Sequence, residues 1–235
     1  MAVGKTPHRV DAFDKVTGAA AYAADCVPDN ALHAVVVFTN QPHARLVGVN
    51  FEETLDAPGV VAVVTAADVP VNEYGLTLFD QPVFIGLDDT GRSSVRCDVS
   101  RWEADHLAVV VAESLIQARK GASLIRSEWE VLPLVSDAVE AQSDEILVHP
   151  NSTSNTYHEL RIRKGDIAEG LQSADVVIEG TYQLPHQEHA YLQVEAATAW
   201  VDEERRVTIE TGGQWIHEDQ EQIAHALDVA PEEVR

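Results

Sequence analysis

The residue types best placed for chemistry lie near the C-terminal end, where Ile209-Glu210-Thr211 runs into Gly212-Gly213-Gln214-Trp215. Two glycines let backbone come close to a ligand, and the amide that follows them precedes a helical pattern whose first N–H groups face outward. Gln214 is therefore a candidate to hydrogen-bond a bound group, set against the plainer reading of a glutamine that caps the helix. Upstream, His186-Gln187-Glu188-His189 groups polar side chains, but alternate faces of a strand would send His186 and His189 apart. His217, Glu221 and His225 recur at four-residue steps and could share a helix face. The outer two would stand two turns apart, about 12 Å along the axis, too far to share one ion, so a solvated face is expected. Gly4-Lys5-Thr6 ends like a phosphate-binding loop, yet the glycine and strand that the motif requires before it are missing. There is no Gly-x-Gly-x-x-Gly fingerprint or Gly-x-Ser-x-Gly elbow, and neither Cys26 nor Cys97 adjoins a histidine, so dinucleotide binding and nucleophilic hydrolysis have no support.

The elements that must position these residues follow from apolar periodicity. Residues 10–25 read as an extended arm entering a strand near Ala20–Tyr22. Leu32–Phe38 is a strand, a second begins after Gln41-Pro42, and residues 51–57 fit a short helix closed by Pro58-Gly59. The unbroken Val60–Val64 run predicts a strand buried on both faces. Residues 66–100 carry scattered Gly, Pro and Asp and predict a long surface excursion. Strand 107–112, helix 114–123 and strand 124–131 in close succession predict an α/β crossover. The acidic, aperiodic stretch 136–155 is the expected domain boundary. Beyond it come a helix over 165–173, strands over 176–182, 191–200 and 207–211, the last two joined by the charged turn 202–205, and a helix over 215–227.

Composition narrows the partners. Sixteen Lys and Arg stand against 39 Asp and Glu, a net charge of −23, which opposes binding to nucleic acid or an anionic membrane face. So acidic a surface with few lysines would suit a salt-rich interior, where stability should rise with KCl. With 45% hydrophobic residues the chain can bury a core. Two distant cysteines make neither a disulfide framework nor a metal knuckle and read as idle thiols. The first residues lack the apolar region of a signal peptide, and no run approaches about 18 apolar residues, so a cytoplasmic protein is expected.

Many ordered stretches resemble the molybdopterin-binding large subunit of the xanthine dehydrogenase and aldehyde oxidase family. They include His8-Arg9-Val10-Asp11, Lys15-Val16-Thr17-Gly18, Tyr22-Ala23-Ala24-Asp25, Leu32-His33-Ala34, Pro42-His43-Ala44-Arg45, Pro58-Gly59-Val60 and Ala66-Ala67-Asp68-Val69-Pro70. Leu107 to Glu113, Trp129-Glu130-Val131-Leu132-Pro133, Gly165-Asp166, Ala174 to Gly180, His189-Ala190-Tyr191-Leu192 and Gln214 continue the series. Two positions depart from it: Val194 follows Leu192-Gln193 where a Glu-Pro or Gln-Pro pair is usual, and Ala104-Asp105 replaces a usual Gly-Asp.

The resemblance implies an α/β fold: a hammerhead-type domain with an N-terminal arm over residues 1–140, then the beginning of a mixed α/β molybdopterin-binding domain over 156–235. It implies that Gln214, without binding the metal itself, hydrogen-bonds an oxo ligand of molybdenum and that Gly213 and Gln214 contact the cofactor, with no protein ligand to the metal. His189, Tyr191 and Gln193 resemble a structural strand nearby. The implied reaction is hydroxylation of a small aldehyde or N-heterocycle with oxygen from water. The implied cofactor is molybdopterin, with iron-sulfur clusters and FAD on partner subunits. In the family the pterin-gripping Gly-Gly-x-Phe-Gly-Gly turn and the glutamate base come after the segment matched here, so the chain is expected to be the N-terminal part of a catalytic subunit, inactive until the remainder completes it. The alternative is a hammerhead scaffold or binding module without chemistry. A downstream reading frame opening with the glycine-rich turn separates the two.

Overall fold

A computed structural model describes residues 4–149, 151–191 and 194–235. In chain order the elements are α1 (Ala12–Thr17), β1 (His33–Phe38), β2 (Ala44–Asn50), α2 (Glu52–Leu55), β3 (Val60–Val64), β4 (Val99–Ser100), β5 (His106–Ala112), α3 (Leu115–Ala122) and β6 (Arg126–Val131). They continue with α4 (Ala138–Ala141), α5 (Ile167–Ser173), β7 (Ala197–Val201), β8 (Val207–Thr211) and α6 (Ile216–Leu227). The chain forms two compact units, Met1–Leu134 together with Gln193–Arg235, and Val135–Leu192.

In the first unit β5 is the centre of an antiparallel sheet of order β1-β5-β3. Its alternation buries Leu107, Ala108, Val110 and Ala112 and explains why so β-branched a segment sits in the middle. Helix α3 lies against this sheet, capped by the Ser114 hydroxyl, which accepts from the Gln117 amide. Gly121 permits the close approach: a Cβ there would stand 2.8 Å from Val60 Cγ2 and 3.1 Å from Val110 Cγ1. A second antiparallel sheet has the order β4-β2-β6. Leu46, Ile85 and Leu107 join the two sheets in one apolar cluster, with Trp129 packed against it.

Several sequence expectations fail here for identifiable reasons. The predicted crossover does not form, because β1 and β3 occupy both edges of β5 and leave β6 to pair with β2. Strand β3 is an edge strand, so Val61 is 55% exposed instead of buried on both faces. The arm before residue 25 contains α1, ended by Gly18 at φ 75°, and a 3-10 turn at Ala23–Asp25 in place of the strand near Ala20–Tyr22.

Residues 66–100 are not a surface excursion. Ala66, Val69 and Phe84 form a buried cluster, and Ala226 of α6 packs against it. Asn72 is fully buried, its amide donating to the Phe84 carbonyl and accepting from the Phe84 N–H, both at 2.9 Å. A side chain thus supplies the pairing that a neighbouring strand would otherwise give, and composition alone does not reveal it.

In the second unit, side-chain caps do most of the ordering. Asp137 accepts from the Val139 and Glu140 amides to start α4, and Asp166 accepts from Glu169 N to start α5. The aperiodic stretch is organised by Asn155, which donates to the carbonyls of Ala141 and Ile146 and accepts from Val148 N. The predicted strand at 176–182 is absent: no ladder forms there, and Val176, Ile178 and Tyr182 are exposed.

Candidate functional site

The Gly-Gly-Gln turn joins β8 to α6. Strand β8 pairs with β7 across a tight turn in which Asp202 accepts from the amides of Glu204 and Arg206 and from the Arg206 guanidinium. The Arg206 amide first, then the Arg206 guanidinium and the Thr208 hydroxyl, hold the Asp202 carboxyl below its ordinary range against the opposing effect of burial. β7 begins only at Ala197, short of the predicted start at 191. The C-terminal end is tied back to β8: Arg235 N donates to Val207 O, and Ile209 N donates to Arg235 O.

Gln214 is exposed, and no hydrogen bond engages its amide among the described residues. It does not cap α6; the N-cap is Trp215, with no side-chain cap bond. Glu218 and Asp219 in the first turn already answer the positive end of the helix, so the helix terminus is not a ready anion cradle. A Cβ on Gly213 would stand 2.8 Å from Asp219 Oδ2, a contact that a flexible carboxylate could relieve. Beside this turn is a cavity of about 420 Å³ lined by Tyr74, Val83, His106, Gly212, Asp219 and Ile223, among others. Burial lowers the pKa of His106, so its ring is neutral near pH 7.

The helix that Gln214 precedes is anchored at its other end. His225 Nε2 lies 3.0 Å from Glu73 Oε1, and the His225 ring stacks on Phe79 with centroids 4.0 Å apart. Glu73 is buried and accepts from the Ser94 amide at 2.7 Å and the Ser94 hydroxyl at 2.9 Å. Burial pushes the Glu73 carboxyl up, but Ser94 and His225 outweigh it and leave its pKa below the ordinary value. Val71 N donates to Ala226 O, and Arg92 pairs with Asp228 at 2.6 Å. The helix face predicted to be solvated is so at His217 and Glu221 and not at His225. Glu73 was missed because nothing in the sequence marks a partner 152 residues away.

Other sequence candidates lie elsewhere. His186, Glu188, His189 and Tyr191 belong to the second unit, in exposed backbone without strand pairing. Gln193 and Leu192 lie outside the described residues. Cys97 is half-buried, and burial, with Asp89 and Asp98 nearby, pushes its thiol up to about 11, which makes it a poor nucleophile. Asp105, at one of the departures noted above, accepts from the amides of Arg101 and Trp102 and fixes its turn without a glycine before it.

Two family models match nearly end to end. The aldehyde oxidase and xanthine dehydrogenase a/b hammerhead domain covers residues 17–133, and the molybdopterin cofactor-binding domain covers residues 148–235. The chain belongs to the xanthine dehydrogenase and aldehyde oxidase family. It is 32% identical over 233 residues to a probable xanthine dehydrogenase subunit of Bacillus subtilis (strain 168), covering 97% of this chain and 29% of that protein. It is 29% identical to a xanthine dehydrogenase molybdenum-binding subunit of Escherichia coli O157:H7, with coverage of 94% and 29%. The aldehyde oxidoreductase structure from Desulfovibrio gigas superimposes with a TM-score of 0.82 at 28% identity, over 96% of this chain and 25% of that one. The expected fold class, a hammerhead-type α/β domain followed by part of a molybdopterin-binding domain, is therefore found. The chain spans under a third of the length of these three relatives. No helix among the described residues is long and apolar enough to cross a membrane.

Proposed function

We propose that this chain is the N-terminal portion of the catalytic subunit of a molybdenum hydroxylase that oxidises a small aldehyde or N-heterocycle with oxygen derived from water. Residues 1–140 serve as the hammerhead scaffold and 156–235 open the cofactor-binding region. The remainder of the subunit, an iron-sulfur subunit and a FAD subunit are its partners, and the cytoplasm its compartment.

The observation that carries this reading is Gln214: an exposed, unengaged amide after two glycines, between β8 and a helix anchored at its far end. The residues fit a neutral, hydrogen-bonded contact to a molybdenum cofactor, because the Gln214 amide can donate without adding charge and the absent side chain at Gly213 leaves backbone accessible. When bound, the cofactor supplies the two-electron redox chemistry. Gln214 holds one of the metal's ligands by a donated hydrogen bond and orients it, and Gly213 lets the turn close on the cofactor. In the assembled subunit, Gln214→Ala should lower turnover per bound molybdenum by about 10–100-fold with the melting temperature unchanged. Normal turnover per bound molybdenum in that variant would refute the assignment.

A further inference from the structure

Among the described residues the Gln214 side chain makes no hydrogen bond: residues 211–215 are all exposed, and the N-cap of α6 lacks a side-chain bond. Its position is set by β8 behind it and by the direction of α6 ahead of it. That direction is set mid-helix, where Gln220 Nε2 donates to Val234 O at 2.6 Å and to Pro231 O at 3.0 Å, and at the far end, where Ala224 is buried and His225 meets Glu73 and Phe79. Arg92 on Asp228 and Val71 N on Ala226 O complete the anchor. Of these groups Glu73 is the hub, since one buried carboxylate binds the helix through His225 and the 93–94 backbone through Ser94.

From residue 225 to residue 214 the helix makes a lever about 16 Å long. A tilt of about 4° at the anchor therefore moves the Gln214 end by about 1 Å, enough to misplace a hydrogen bond at a reacting centre. We propose that Glu73 is a positioning residue for Gln214, holding α6 through His225 so that the amide at the opposite end of the helix meets its target. This inference rests on the Gln214 reading above.

The test uses the cofactor-loaded subunit that carries this chain, with Glu73→Ala, His225→Phe, Glu73→Gln, Gln214→Ala and the Glu73→Ala/Gln214→Ala double variant. The readouts are hydrogen exchange at residues 212–218, the Mo(V) electron paramagnetic resonance signal, and kcat and KM per bound molybdenum. Glu73→Ala and His225→Phe should speed exchange at 212–218, move the resonance signal in the direction Gln214→Ala moves it, and lower kcat on the order of tenfold with KM unchanged. Glu73→Gln, which keeps an acceptor for Ser94 and a partner for His225, should recover most of this, and the double variant should be no worse than Gln214→Ala. Faster exchange confined to the surroundings of residues 73, 94 and 225, with signal and kcat unchanged, would overturn the proposal, as would additive losses in the double variant. If Gln214→Ala itself changes neither signal nor kcat, the Gln214 reading fails and takes this inference with it, a pattern distinct from failure at Glu73 alone. Should Glu73→Ala not fold, His225→Phe, which keeps an aromatic ring on Phe79, decides.

Discussion

Asn72 offers the sharpest stability test, because its amide satisfies two buried backbone atoms of Phe84 at once. Replacing it with alanine leaves the Phe84 N–H and C=O without partners in a site closed to water. Each orphaned group costs about 1–3 kcal/mol, so the pair predicts a loss of about 2–6 kcal/mol. Taking about 3 kcal/mol, the melting temperature should fall by roughly 6–12 °C for a unit of this size. Asn72→Asp should be worse: it keeps the acceptor for Phe84 N and turns a carboxylate oxygen toward Phe84 O, burying a charge beside a carbonyl. Thermal and urea unfolding of both variants measure this. A loss below about 1 kcal/mol for alanine, or an aspartate variant more stable than the alanine one, would refute the argument that this side chain substitutes for strand pairing.

Gly121→Val should destabilise by about 1–3 kcal/mol through overpacking against Val60 and Val110, measured by urea unfolding; a neutral change would mean that α3 can retreat from the sheet. The lowered Glu73 pKa gives stability that is fully present above the ordinary carboxylate range and is lost as pH falls through the lowered folded-state value. Glu73→Gln should flatten that acid limb, and an unchanged pH profile would contradict it. Ile162, Ile178, Tyr182 and Leu184 are each more than 80% exposed, so the isolated chain should bind hydrophobic dyes and self-associate. A strictly monomeric species by sedimentation with no dye binding would contradict this.

Elements governed by local pattern were legible in the sequence. The β5 run, helix α3, the charged turn at 202–205 and the amphipathic α6 follow from apolar periodicity and turn chemistry. What was not legible depends on distant partners. The edge position of β3 and the placing of β6 in a second sheet depend on which strands, distant in sequence, pair with β5 and β2. Buried Asn72 and Glu73 look like ordinary loop polarity until Phe84 and His225 are seen beside them. At the site the Gly-Gly-Gln turn could be picked out by residue type, whereas the anchor that holds α6 could not, because Glu73 and His225 share neither an element nor a motif.

The central claim is that Gln214 contacts a ligand of molybdenum. An experimental structure of the cofactor-loaded subunit measures this directly. The account predicts Gln214 Nε2 within about 3 Å of a non-pterin ligand of the metal, at hydrogen-bonding geometry. A Gln214 side chain turned to solvent, or an intervening residue making that contact, would contradict it.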